Sequence, residues 1–168
     1  MDNQKMEKNS GCLTRILILF GLIGIRGKKQ LSIEEAYNKK PSVLSPNELA
    51  FYSQLKLVVG QRFVILPKVR LSDVFDPRPT TFSGNQSALN RINSRHLDFL
   101  MCEPDTFKPV FAIELDDRSH RRASRRDRDK FVDELCMGTG LTLVRIPAAM
   151  SYSAHAIYTQ ILAAFNKK

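Results

Sequence analysis

A chain of 168 residues, 43% of them hydrophobic, is long enough for one domain with a buried core. Its formal net charge of +9 predicts attraction to polyanions, either nucleic acid or an anionic membrane surface. The three cysteines, Cys12, Cys102 and Cys136, have no CxxC spacing. This excludes a zinc ribbon and a disulfide framework and favours free thiols in a reducing cytoplasm.

The first 44 residues are predicted to stand outside the folded domain. Residues 1–10 are polar and predict a disordered tail, residues 11–26 form a short apolar segment, and residues 27–44 are typical of a linker. The apolar run from Ile16 to Ile25 would cover about 15 Å as a helix, roughly half of a bilayer core. Three interpretations stay open: an anchor or interfacial segment that tethers a cytoplasmic protein to the inner membrane, a packed helix, or a signal-like remnant.

The predicted domain covers residues 45–165 and opens with a helix. Ser45 is suited to the N-cap, Pro46 to the first helical position and Glu48 to the reciprocal side of a capping box. Apolar residues at helical spacing predict a buried stripe made of Leu49, Tyr52, Leu55 and Val58 or Val59. A strand over residues 62–71 follows, and Pro67 within it favours a bent or edge strand.

Turn and periodicity signals divide the rest of the domain. Residues 72–94 are rich in polar side chains and predict a long basic loop. Strands are predicted over residues 95–103 and 109–116, joined by a hairpin loop, and over residues 141–146. Helices are predicted over residues 121–137, ending at Gly138 or Gly140, and over residues 153–165, with Ile157, Ile161 and Leu162 inward. The pattern predicts an α/β domain in which helices flank a small mixed four-stranded sheet.

Two carboxylates in the predicted hairpin carry the functional interpretation. If the hairpin is centred near Thr106, paired residues have numbers that sum to about 212, which sets Asp98 opposite Glu114. Asp116 shares the face of Glu114 by the period of two. Clustered acids on a half-buried face need a compensating cation, and a hard divalent ion with oxygen ligands meets that need. The alternative is a solvated sheet face whose acids are neutralised by nearby arginines.

These segments, in this order, resemble the PD-(D/E)XK (restriction-endonuclease-like) nuclease superfamily, and most of all its very-short-patch-repair-endonuclease-like branch. The matching stretches are Leu97-Asp98-Phe99, residues 112–120 and residues 126–131. They are similar to a bacterial family known as domain of unknown function 2726. The resemblance covers roughly residues 44–162 and implies a restriction-endonuclease-like core.

The resemblance also implies a metal site. Asp98 and Glu114 would be the carboxylates that hold Mg²⁺ or Mn²⁺, and the backbone carbonyl of Leu115 would be a third ligand. The superfamily's usual lysine, two residues after the glutamate, is absent, because Asp116 stands there. Another group must take over the role of that lysine, or the site is inactive.

Three further residues are candidates for catalysis. His120 lies where the similar repair endonucleases carry a histidine, and an imidazole can act as general base or acid near neutral pH. A plain hydrogen-bonding role at the sheet end is the alternative for His120. Lys130 is a second candidate, as a displaced lysine on the following helix. Glu48 matches the first-helix glutamate of such nucleases, and it can serve as a capping residue at the same time.

The segment after Asp116 is strongly basic. It contains seven of the 26 basic residues, and five of them are predicted to contact nucleic-acid phosphates: Arg118, Arg121, Arg122, Arg125 and Arg126. A solvated charged face is the alternative. The sequence therefore predicts a metal-dependent nuclease, with DNA favoured over RNA and no small-molecule cofactor. An inactive nucleic-acid-binding module of the same fold and a basic protein at a membrane surface are the rival functions.

Overall fold

The computed structural model describes residues 31–78, 82–116 and 123–166. The chain divides into two compact units, with the boundary between Lys40 and Pro41. In the first unit the described part holds one short helix, α1 (Ile33–Ala36), which Ser32 and Glu35 begin with a reciprocal capping box. The predicted tail over residues 1–10 and the apolar segment over residues 11–26 lie outside the described residues. Among the residues that are described, no helix is long and apolar enough to cross a membrane.

The second unit contains the predicted α/β domain. Its elements are α2 (Pro46–Val59), β1 (Val64–Arg70), a 3₁₀ turn (Leu71–Asp73), α3 (Phe82–Asn93), β2 (His96–Cys102), β3 (Pro109–Asp116), α4 (Ala123–Thr139), β4 (Thr142–Pro147) and α5 (Ala154–Phe165). The strands form one sheet in the order β1-β2-β3-β4. The first two pairings are antiparallel, and β4 runs parallel to β3 after the crossover through α4. The mixed four-stranded sheet is therefore confirmed, with the Pro67 strand at an edge.

The register of the β2–β3 hairpin agrees with the sequence prediction. The pairs Phe99↔Ile113 and Leu100↔Ala112 both have numbers that sum to 212. The register shifts only at the turn end, between Met101 and Cys102. Continued toward the open end of the hairpin, the regular register places Asp98 opposite Glu114, so the two acids belong to one end of the sheet.

Hydrophobic clusters on the two sides of the sheet hold the helices in place. The first cluster joins α2 and α5 to the sheet and contains Phe51, Leu55, Val59, Phe99, Met101, Phe111, Ile113, Val144, Ile146, Ile157 and Ile161. The second cluster joins α3 and α4 to the sheet and contains Leu71, Ile92, Leu97, Leu100, Cys102, Ala112, Val132 and Cys136. Because every strand of the hairpin contributes to both clusters, the sheet is covered on both faces, which fixes the positions of the polar residues at its ends.

Two predicted helix stripes need correction. In α2 the buried row is Phe51, Leu55 and Val59, at a spacing of four, while Leu49 is 49% exposed. Phe51 is selected because its ring packs 5.3 Å from that of Phe99, on the sheet. In α5, Ile157 and Ile161 are buried as predicted, but Leu162 is 43% exposed. Both helices carry more apolar residues than one face can bury, and tertiary packing selects the row.

The prediction of a long loop over residues 72–94 is wrong, because α3 occupies most of that region. Ile92 is buried, and Leu89, three positions earlier, packs against the same hydrophobic cluster. Such a sparse apolar signal does not stand out among polar residues and prolines. Burial of this face stabilises a helix whose own propensity is weak.

The helix α4 ends two residues beyond the predicted Met137. Gly140 has a φ of 78°, a backbone conformation that glycine adopts without a steric penalty. The amide of Leu141 donates to the carbonyl of Cys136 over 3.0 Å, which closes the helix end. The chain then turns directly into β4, which sets that strand beside β3.

Candidate functional site

A cleft of about 880 Å³ opens where β2 begins and β3 ends. Residues from α2, all four strands and α4 line it. The cleft brings together six of the site residues that the sequence predicted: Glu48, Asp98, Glu114, Leu115, Asp116 and Lys130. Residues separated by up to 82 positions in the chain thus meet at one end of the sheet.

Asp98 is held in place from both sides. Its Oδ2 accepts a hydrogen bond of 3.0 Å from the backbone amide of Leu115 on the neighbouring strand. Its Oδ1 lies 3.2 Å from the Nζ of Lys68 on β1. A carboxylate that accepts two such hydrogen bonds keeps its orientation, so Asp98 is a fixed wall of the cleft.

Lys68 is a site residue that sequence reasoning missed. Its ammonium group donates to Glu48 and to Asp98, and it lies 3.5 Å from the Nε2 of His96. Burial alone would lower the pKa of Lys68, but the hydrogen bond to Glu48 and the charge of Asp98 raise it. The lysine therefore stays cationic at neutral pH and links α2 to β2.

The backbone at Lys68 is unusual for a strand. Its φ is 56°, a left-handed conformation that costs a non-glycine residue on the order of 1–3 kcal/mol. The β1–β2 pairs continue on both sides, at Pro67↔Phe99 and Val69↔Leu97, and skip Lys68 itself. The contacts of its side chain with two acids compensate for this local strain.

Glu48 has the capping role that the sequence predicted, and its side chain also lines the cleft. Its Oε2 accepts from the amide of Ser45 over 2.8 Å, which completes the capping box of α2. Its Oε1 accepts from Lys68. Although burial would raise the pKa of Glu48, the hydrogen bonds from Lys68 and Ser45 lower it. The N-terminus of α2 is thereby fixed against the cleft.

Glu114 has an unsatisfied side-chain oxygen in the cleft. Its Oε1 is buried and has no hydrogen-bond partner among the described residues. Burial, and then the negative charge of Asp98, raise the pKa of Glu114 to about 8. A buried carboxylate beside another carboxylate is unfavourable without a cation. The Oε1 of Glu114 is therefore the atom at which a cation would supply the missing partner.

Asp116, which stands at the position of the missing lysine, has a partner of its own. Its Oδ1 accepts from Arg145 on β4 over 2.6 Å. The same guanidinium donates to Asp133 over 2.8 Å and to the carbonyl of Asp129 over 3.2 Å. Burial would lower the pKa of Arg145, but Asp133 and Asp116 raise it. This ion cluster ties β3 and β4 to α4.

The residues present are compatible with the predicted metal. No group of three or more His, Cys, Asp or Glu within the described parts of the chain has the geometry of a metal site. The predicted set, however, consists of two carboxylates and the carbonyl of Leu115, and the orphaned Glu114 oxygen beside the anionic Asp98 fits a hard cation. Such an ion would complete its coordination with water or phosphate oxygens.

Several predicted residues cannot be placed at the cleft. His120, Arg118, Arg121 and Arg122 lie outside the described residues. Arg125 and Arg126 belong to the first turns of α4, and the side chains of these two residues are likewise not described. Lys130 reaches the cleft rim, but its side chain is 76% exposed and pairs with Glu134 over 3.6 Å.

Other cleft residues had no place in the sequence interpretation. Among them are His96, Arg95 and Arg145. Arg95 and His96 directly precede the strand of Asp98, and that proximity was the available signal. Lys68 and Arg145 come from other strands, so only the sheet order brings them to the site.

Comparison with known proteins gives a family and nothing finer. No curated protein and no solved structure matches the chain. The sequence model of the family described as Protein of unknown function (DUF2726) matches residues 40–165, which is three quarters of the chain. The match covers every strand and helix that lines the cleft. The protein therefore belongs to the DUF2726 family.

Proposed function

We propose that this protein is a metal-dependent phosphodiesterase that hydrolyses nucleic acid, with DNA favoured, on a restriction-endonuclease-like core of the PD-(D/E)XK superfamily. The observation that carries the proposal is that Asp98 and Glu114 line one open cleft, where Glu114 has a buried oxygen without a partner among the described residues. A stable sheet gains nothing from such a pair unless a cation is bound there.

The architecture supports this superfamily. A glutamate at the start of the first domain helix, an aspartate on one hairpin strand and a glutamate on the next line the same cleft. The helix α4 then crosses over to a parallel strand. The order of these elements is the one that the resemblance implies, and it brings the three acids together across long sequence distances.

Mg²⁺ or Mn²⁺ held by Asp98, Glu114 and the carbonyl of Leu115 would supply Lewis acidity toward a phosphate oxygen and lower the pKa of a bound water. The chain's own residues fix the geometry. The amide of Leu115 and the ammonium of Lys68 orient Asp98, while Glu48 holds the ammonium from the opposite side. The scissile phosphate would be positioned against an already rigid wall.

Lys68 takes the place of the absent superfamily lysine. Asp116 cannot provide a cation, and its charge is already neutralised by Arg145. Lys68 brings an ammonium group to Asp98 from β1 instead. In the proposed reaction this ammonium stabilises negative charge that develops on the phosphate. His120 remains the sequence-based candidate for proton transfer, and His96 is a second imidazole at the cleft.

The decisive experiment compares two aspartates. Asp98→Asn removes a metal ligand, and Asp105→Asn alters an exposed aspartate in the hairpin turn. We expect Mg²⁺- or Mn²⁺-dependent cleavage of DNA by the wild type and by the Asp105 variant, and none by the Asp98 variant. Titration with Mn²⁺, followed by electron paramagnetic resonance, should show loss of binding in the same variant. Undiminished cleavage by the Asp98 variant would refute the proposal.

A binding module without catalysis is the second candidate. Two observations favour it: Asp116 replaces the usual lysine, and both oxygens of Asp98 already accept hydrogen bonds. In that case the wild type binds DNA but neither cleaves it nor takes up Mn²⁺. Binding that Mn²⁺ does not change, together with no cleavage of DNA or RNA, would establish the module over the enzyme.

A further inference from the structure

A group of positively charged residues borders the cleft beside α3 and α4. Arg91 in the last turn of α3 and Arg95 just beyond it both stack on Phe131 of α4. Their guanidinium carbons lie 4.0 and 5.0 Å from the centroid of the ring. One aromatic ring therefore contacts two arginines, of which Arg95 lines the cleft.

The second arginine is fixed further. The Nη1 of Arg95 donates to the carbonyl of Arg91, and Arg95 also lines the cleft. Its Nε is buried and has no acceptor among the described residues. A guanidinium that stacking already orients suits an incoming anion, because little rotamer entropy is lost on binding.

The acidic residues of the two helices lie on α4 and not on α3. The sequence of α3 contains no acidic residue. His96 follows directly, and Arg70 is its pairing partner on β1. Within the described parts of the chain, no ion pair involves Arg70, Arg91 or Arg95. On α4, Arg128 is 51% exposed and reaches Asp129 only at 3.9 Å.

We infer that these residues form a phosphate-backbone binding surface, the α3–α4 ridge, which consists of Arg70, Arg91, Arg95, His96 and Arg128. The inference rests on the proposed function for its ligand, a nucleic acid. Stacked guanidinium forks match phosphate oxygens, and Arg95 belongs to both the ridge and the cleft. A backbone bound on the ridge therefore continues toward Asp98 and Glu114.

The test measures binding without hydrolysis. The full chain and its Arg91→Ala/Arg95→Ala variant are titrated with a short fluorescent DNA duplex in EDTA, over a series of salt concentrations. We expect the affinity to fall roughly tenfold or more, and the slope of log affinity against log salt to shrink by about two, because two phosphate contacts are lost.

A matched control removes the same charge elsewhere. Lys56→Ala/Arg62→Ala also deletes two exposed cations, and Lys56 is likewise stacked on an aromatic ring, at 5.0 Å from the centroid of Tyr52. These residues do not line the cleft. We expect the control to change the affinity by less than about threefold, through net charge alone. Equal losses in the two variants would overturn the ridge.

A conservative variant guards against unfolding. Arg91→Lys/Arg95→Lys keeps the charges but removes the planar forks, and we expect an intermediate loss of affinity with a native thermal transition. Wild-type affinity in this variant and in the alanine variant would contradict the inference. So would a loss of binding to vesicles containing phosphatidylserine while DNA binding is unchanged, because that result would assign the ridge to a membrane surface.

The inference and the proposed function fail separately. If the ridge variants lose DNA binding but the wild type never cleaves, the ridge is supported as a binding surface and the proposed catalysis is refuted. If the wild type cleaves in a metal-dependent way and the ridge variants bind as well as it does, catalysis stands and the ridge is wrong.

Discussion

Glu114 and Asp116 lie two residues apart on one strand, on the same side of the sheet, and differ in their partners. Glu114 is half-buried, with one buried oxygen that has no partner among the described residues, and its pKa is raised to about 8. Asp116 is bound to Arg145 over 2.6 Å. In the proposed function Glu114 binds the metal ion, whereas Asp116 is already paired with an arginine of the protein.

The difference between Glu114 and Asp116 shows which strand supplies the cation near Asp98. A lysine at position 116 would point to the acid pair from β3 itself. Here that position joins a structural ion cluster with Arg145 and Asp133, and the cation near Asp98 is Lys68 from the opposite edge of the sheet. The cation near the acid pair therefore comes from β1, and the cation that pairs with Asp116 comes from β4.

The largest expected difference between Glu114 and Asp116 is in activity, when each acid is neutralised in turn. Glu114→Gln should lower metal-dependent cleavage by about a thousandfold or more, because it removes a proposed metal ligand. Asp116→Asn should keep most of the activity, because its partner is Arg145. Cleavage rates at saturating Mg²⁺ for the two variants measure the difference. If both lose activity equally, the assignment of separate roles is wrong.

Lys68→Met should have the next largest effect. Loss of the ammonium group should slow cleavage by roughly a hundredfold, the size expected for one lost donor to developing charge. Lys68→Arg should restore part of the rate, because a guanidinium reaches the same acids with a different shape. Single-turnover rates separate this from a binding defect. An unchanged rate in the methionine variant would remove Lys68 from the proposed mechanism.

Arg145→Met should act on stability rather than on activity. It leaves Asp116 and Asp133 without a partner at a partly buried position, and we expect a loss of about 1–2 kcal/mol in the free energy of unfolding. Urea denaturation measures this loss. The double variant Arg145→Met/Asp116→Leu should recover part of it, since the uncompensated carboxylate is gone. Lack of any recovery would show that the arginine acts through another contact.

The smallest expected effect is the pH dependence of the free energy of unfolding, which arises from Glu114. The pKa of Glu114 is about 8 in the folded protein, against an ordinary value of 4.5. Between these values the folded state holds a proton that the unfolded state has released. Stability therefore falls as pH rises through this range, by at most about 1.4 kcal/mol per pH unit.

Denaturation in EDTA between about pH 5 and pH 8 measures this slope. Glu114→Gln should flatten it, because a neutral amide cannot titrate, whereas Asp116→Asn should leave it in place. A slope that survives in the glutamine variant would assign the titration to another group.

Much of this site could be predicted from local patterns in the sequence. The hairpin register follows from the positions of two strands and one turn, and it sets Asp98 and Glu114 at one end of the sheet. The capping box of Glu48 follows from four consecutive residues. In each case the information is short in range. The helix α3 was missed because its apolar face consists of few residues, and its burial depends on α4 and the sheet.

The sequence by itself determined the strands, the main helices and the two central acids, because periodicity and turn residues act over a few positions. Only the tertiary structure decided which cations meet those acids. Lys68 reaches Asp98 across 30 positions, and Arg145 reaches Asp116 across 29. Charges act through space, so sheet order, rather than sequence distance, decides which acid is neutralised and which has no partner among the described residues.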